Sequence, residues 1–154
     1  FLILLVISFI ILHLTKYGRK IFLIGVNRNT AEYSGIKTAR LVMSTYVLSG
    51  IAASIAGILL TSYLGTAKPD FGADLTLPII TAVVLGGTSI YGGKGNVIGT
   101  GLAALIIGFM KFGLTLIGIN AQYQDIPVGI LLIVSLIINF MINSNVFQNL
   151  KRKK

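Results

Sequence analysis

An all-α, polytopic membrane fold is predicted, with about four complete spans and a truncated one at the N-terminus. Three observations predict it: the apolar runs are long, charged residues are scarce, and the charges gather between the runs. Of 154 residues, 55% are hydrophobic and 11% charged, against roughly a quarter charged in a soluble domain. A soluble fold of this size would carry a large exposed apolar patch; lipid removes that difficulty.

The elements follow in order. Phe1–Leu14 is apolar but shorter than the roughly 20 residues a span needs. It lacks the charged start and small-residue cleavage site of a signal peptide. It reads as the tail of a cut helix, so 1–154 reads as the C-terminal portion of one longer membrane domain. A polar segment, 15–40, carries Lys16, Arg19, Lys20, Arg28, Lys37 and Arg40 against the single acid Glu32. Within it Asn29-Thr30-Ala31-Glu32 has the spacing of a capping box, and Gly35 is a helix stop. A short helix is therefore expected over Thr30–Ser34.

Leu41–Tyr63 is the next span. Its small residues fall four apart (Gly50 and Ser54, Ala52 and Ala56, Ala53 and Gly57), which suits close helix packing more than solute contact. A loop, Gly65–Asp74, carries Lys68-Pro69-Asp70 at its tip. Leu75–Tyr91 is apolar but interrupted by Pro78, Gly86 and Gly87. A broken, tilted or partly re-entrant helix is expected, tolerated where protein or a cavity surrounds its backbone. A tight turn, Gly92–Asn96, leads into the span Val97–Leu116, with Lys111 near its far end. After a Gly118–Gln124 loop comes the last span, Asp125–Ile142, and a tail, 143–154, that closes on Lys151-Arg152-Lys153-Lys154.

Four crossings separate the 15–40 segment from the tail, so both lie on one side. Both are basic, which places that side, and the C-terminus, in the cytoplasm. Lys94 falls inside too; Asp70, Asp74 and Asp125 fall outside. The net charge of +9 then reflects topology, and nucleic-acid binding is not expected, because the positive-inside rule explains the same charges.

Little here can do covalent chemistry. There is no cysteine and one histidine, His13, which excludes a disulfide framework, a thiolate metal site and a histidine cluster or triad within this chain. Gly92-Gly93-Lys94 fails as a phosphate-binding loop: Thr88 stands where the first Gly is needed and Gly95 where Ser or Thr is needed. Gly99–Ala104 matches the loose dinucleotide fingerprint but lies inside a span and follows no strand. No catalytic residue, metal ligand or cofactor is expected.

Two blocks carry a resemblance. Thr81-Ala-Val-Val-Leu-Gly-Gly-Thr-Ser-Ile-Tyr-Gly-Gly-Lys-Gly95, followed by Val97-Ile98-Gly99-Thr100, resembles the signature of bacterial ABC-transporter permeases of the ribose, xylose, galactose and autoinducer-2 group. Upstream, Gly18-Arg-Lys-Ile-Phe-Leu-Ile-Gly-Val-Asn27, then Ala31 and Ser34-Gly35-Ile36, resembles the same family's cytoplasmic segment. Many members have an acid just before the first block; Thr76-Leu77-Pro78 here is closer to the autoinducer-2 and rhamnose-like branch. The resemblance implies the membrane subunit of an ATP-driven importer of a monosaccharide or sugar-like solute in a bacterial cell membrane. It implies as partners cytoplasmic ABC ATPase subunits, a second permease subunit and an extracytoplasmic sugar-binding protein. Asn27, Asn29, Ala31, Glu32, Ser34 and Gly35 match the segment that meets the ATPase; the alternative is a loop helix that merely caps itself. Asp74, Pro78, Thr81, Gly86, Gly87, Thr88 and Ser89 are candidates for the translocation path. Their hydroxyls either meet a polyol or satisfy their own helix. An ion-coupled secondary transporter and a non-transport membrane scaffold are the other classes open.

Overall fold

The computed structural model describes residues 1–67, 69–90 and 92–143, less the side chains of 69–71, 142 and 143. Lys68, Tyr91 and the basic tail lie outside the described residues. The described chain is helical: α1 (Leu2–Phe9), a π-helical turn (Ile10–Leu14), α2 (Lys16–Val26), α3 (Arg28–Tyr33), α4 (Thr38–Leu64), a 3-10 segment (Pro69–Leu75), α5 (Thr76–Leu85), α6 (Val97–Leu116) and α7 (Ala121–Asn143).

Three of these helices, α4, α6 and α7, are long and apolar enough to cross a membrane. The expected spans at 41–63, 97–116 and 125–142 are therefore present, α7 starting four residues earlier than expected. Leu2–Leu14 and α2 pass the same test as a pair but are bent by 69°. The bend falls at Thr15, whose backbone is extended and whose hydroxyl caps α2 by accepting from Gly18 N–H at 3.3 Å. Counted as one broken span, that pair gives four, but in a different place from the fourth expected crossing, Leu75–Tyr91.

The Leu75–Tyr91 segment is broken, as expected, and its helical part is short. α5 has ten residues, about 15 Å of helix against a hydrocarbon core of about 30 Å. Pro78 is its third residue, where no N–H is needed, so it begins the helix instead of interrupting it. The helix ends at Gly87, at φ +88°, with Gly87 N–H donating to the Val84 carbonyl and Thr88 N–H to that of Val83. α3 and α6 end on the same paired bonds, at Gly35 and Gly118. Each satisfies carbonyls that a helix end leaves open.

α5 lies against both α6 and α7. The small core sits there: Ala82, Ala103, Ile107 and Val128, flanked by Leu77, Ala104 and Met110. Gly86 meets the α6 backbone at Gly99 and Thr100, where a Cβ has no room. α6 starts at Asn96, whose side-chain oxygen accepts from Ile98 and Gly99 N–H at 3.1 and 3.3 Å. The Gly92-Gly93 turn rests on Gly25 and Val26 at the end of α2. α4 stands apart from this group: it packs on α2 and α3, and its most apolar window has 0% of its residues buried.

Candidate functional site

The 15–40 segment folds into a corner of three helices. Asn27 is the joint between α2 and α3: an extended residue (φ −158°) that ends one and caps the other, its side-chain oxygen accepting from Thr30 N–H at 3.2 Å. The cap is thus Asn27, not Asn29, and α3 runs over Arg28–Tyr33 instead of Thr30–Ser34. Asn29 lies exposed within the helix. Ala31 is its buried face at 4% exposure, and Ser34 bonds back to the Thr30 carbonyl at 2.9 Å. Gly35 stops the helix as expected.

Glu32 does not return to a cap. Its carboxylate accepts from the hydroxyl of Thr38, the first residue of α4, and from Arg28 Nε at 3.4 Å. The Thr38 hydroxyl, then the Arg28 hydrogen bond and charge, hold its carboxyl below the ordinary carboxylate value, against a smaller opposing effect of burial. α4 has no side-chain cap bond of its own; an acid near a helix N-terminus is favoured by the positive end of the helix dipole. A third tie joins the other two helices: Tyr17 Oη and Ser44 Oγ lie 2.6 Å apart.

The second set of candidates is spread along α5. Asp74, in the 3-10 segment, and Pro78 lie at its start. Thr81 is fully buried, its hydroxyl donating to the Leu77 carbonyl of its own helix at 2.8 Å. Gly86 is buried against α6. Past the Gly87 stop, the Thr88 carbonyl accepts from Asn139 Nδ2 at 3.4 Å. The Ser89 hydroxyl is buried with no partner among the described residues. Ser89 shares a cavity of about 280 Å³ with Gly87, Lys94, Ser135 and Asn139. The structure thus groups the end of α5 with α7 and leaves Asp74 and Pro78 at the other end.

Two sets of polar residues went unread in the sequence. Lys111 Nζ and Asp125 Oδ1 form an ion pair at 2.8 Å across the α6–α7 turn. Beside it Gln124 Nε2 donates to the Thr115 hydroxyl and the Ile119 carbonyl, both at 3.0 Å. The signal was there: Lys111 and Asp125 stand equally far in sequence from the Gly118 stop, as partners across a helical hairpin must. Ser135 and Asn139, four apart in an otherwise apolar helix, were similarly legible as one face. Among the described residues, no group of His, Asp or Glu is arranged to hold a metal ion. His13 is stacked on Phe9 at 4.9 Å and meets the edge of Phe22 at 6.0 Å.

Long apolar helices with charges kept to their ends define a multi-pass membrane protein. Over residues 1–136 the chain matches the family described as the branched-chain amino acid transport system permease component, and it belongs to that family. It is 47% identical over 137 residues to the autoinducer 2 import system permease protein LsrD of Photorhabdus temperata, covering 89% of this chain and 41% of that one. To the protein of that name from Yersinia enterocolitica it is 44% identical over 133 residues, 86% of this chain and 40% of the other. The chain spans about two fifths of the length of the curated relatives it matches. No solved structure matches it. The resemblance read from the two sequence blocks is therefore met by relatives of the autoinducer-2 branch.

Proposed function

We propose that this chain is part of the transmembrane permease subunit of an ATP-driven importer for a monosaccharide or sugar-like solute of the ribose, rhamnose or autoinducer-2 class. The observation that carries the reading is the family match over residues 1–136, with relatives named for autoinducer 2 import at 44–47% identity. The fold supports it: a short helix, α3, stands between two helix ends in a basic segment, with Asn29 and Tyr33 exposed on it. In this reading Asn27, Asn29, Ala31, Glu32, Ser34 and Gly35 form the corner that receives a cytoplasmic ABC ATPase. A second permease subunit, alike or different, and an extracytoplasmic binding protein complete the assembly. The basic segment and tail lie in the cytoplasm, and the Lys111–Asp125 hairpin faces outside.

Asp74, Pro78, Thr81, Gly86, Gly87, Thr88 and Ser89 follow the translocation path in this reading. The Thr81 hydroxyl, bonded to its own helix, shapes the path; the unpartnered Ser89 hydroxyl, beside Lys94 and Asn139, is the one placed to meet a polyol. The test is vanadate-sensitive uptake of labelled sugars and autoinducer-2 by cells carrying the full-length protein with its ATPase and binding protein. ATP-dependent uptake is expected; uptake driven by a proton gradient alone sinks the proposal in favour of an ion-coupled transporter.

A further inference from the structure

Three helices meet in the basic corner, and each pair is joined. Asn27 joins α2 to α3 as a single-residue hinge capped on one side. Tyr17 and Ser44 join α2 to α4 across their sides at 2.6 Å. Between α3 and α4 the backbone passes through Ser34, Gly35, Ile36 and Lys37, with Gly35 at φ +77°. Backbone bonds from Gly35 and Ile36 back to α3 fix the first half of that stretch, so the swivel lies at Lys37, just before α4. It is crossed by one side-chain bond, from the Thr38 hydroxyl to the Glu32 carboxylate.

Three members with three joints make a triangle, which cannot shear unless a joint opens. We propose that Glu32 is a positioning residue: by holding Thr38 it locks the α3–α4 swivel, so that a displacement of α3 moves α2 and α4 with it as one body. This rests on the transport reading above and changes one assignment within it, since Glu32 faces its own chain instead of the ATPase. Three observations support the lock over an incidental surface contact. Thr38 is 4% exposed, so the donor of the bond is buried, while the Glu32 side chain that accepts it is half exposed. The N-cap of α4, Lys37, makes no side-chain cap bond. And Arg28, one turn earlier on α3, binds the same carboxylate oxygen, Oε1, at 3.4 Å.

The lock predicts that α3 binds its partner without it but no longer drives the spans. The test uses the full-length permease assembled with its ATPase and binding protein in liposomes. Thr38→Val keeps the buried shape and removes the hydroxyl. Its uptake should fall roughly 2- to 30-fold, the range over which residues in a coupling network act, while the ATPase still co-purifies and its basal hydrolysis is unchanged. Thr38→Ser, which keeps the hydroxyl, should restore uptake; Glu32→Gln, which keeps an acceptor, should restore most of it. Glu32→Ala combined with Thr38→Val should be no worse than either alone, as for two halves of one bond. Unchanged uptake by Thr38→Val overturns the lock, as does failure of Thr38→Ser to restore it. So does loss of ATPase binding in Glu32→Ala with Thr38→Val unaffected, which returns Glu32 to the partner surface. Absence of ATP-driven uptake in the unmodified assembly is a different failure: it removes the transport reading itself.

Discussion

Single residues decide where the helices start and stop. Because Asn27 caps α3 and Asn29 does not, Asn27→Ala should cost about 1 kcal/mol of local stability and Asn29→Ala almost none. Faster amide exchange of Thr30 and Ala31 in the first variant only is the measurement. Asn29 alone stands three residues before Glu32, so the sequence favoured it as the cap of a capping box; in the fold Glu32 bonds Thr38 instead, a partner six residues on. That partner also sets a pH dependence. The Glu32 pKa is lowered on folding, first by Thr38 and then by Arg28. A lowered folded value means the tie is fully present above the unfolded carboxylate value and is lost as pH falls through the folded one. An NMR titration of Glu32 should therefore show a midpoint below the ordinary carboxylate range, moving up toward it in Thr38→Val. Gly86 and Gly87, adjacent and read together in the sequence, separate sharply here. Gly86→Ala drives a methyl into the backbone of Gly99 and Thr100 and should cost about 1–3 kcal/mol. Gly87→Ala meets open space and should cost about 1–2 kcal/mol for its left-handed backbone alone. Thermal melting of the purified protein, with a melt of the Gly86→Ala variant restored by no change at position 87, separates the two causes.

At the scale of elements, hydropathy and length were enough for the long helices: α6 has the expected bounds, and α4 and α7 extend theirs by a few residues. Polar termini explain those extensions. Thr38–Arg40 and Ala121–Gln124 continue a helix through polar residues that an apolar run does not include, with Thr38 and Gln124 buried against the rest of the chain. The half-length α5 was less legible. Its apolar run continues to Ile90, and only the Gly87 stop, with its two backbone bonds, ends the helix at Leu85. The α6–α7 hairpin shows what pattern reading overlooks: each charge, taken alone, looked like a solvated end, and pairing emerged only when the turn brought the two helices together. Lys111 and Asp125 are 27% and 40% exposed, so the pair should contribute about 1 kcal/mol or less. Lys111→Ala and Asp125→Ala should each lower the melting temperature slightly, and the exchanged pair, Lys111→Asp with Asp125→Lys, should recover part of it. A double-mutant cycle with no coupling would show that the Gln124 bonds hold the hairpin without the charges.

For the molecule as a whole, the class and the resemblance were legible in the sequence, because these depend on composition and local motifs. The sequence did not yield the corner of three helices, which depends on contacts between residues as far apart as Tyr17 and Ser44. The proposed orientation has a direct check, since the chain contains no cysteine. Single cysteines at Lys94 and Gln122 should react oppositely with a membrane-impermeant maleimide in intact cells: 94 protected and 122 labelled. α4 adds a last consequence. Its 27 residues make a rod of about 40 Å, longer than a hydrocarbon core of about 30 Å. The surplus must leave the bilayer or lean within it. The end tied to α2 and α3 begins Thr38-Ala39-Arg40, with Thr38 buried and Ala39 and Arg40 exposed, so a thinner bilayer lifts that end further out and a thicker one draws it in. Under the proposed transport reading, membrane thickness then sets how far that end of α4 stands from the bilayer without altering a residue.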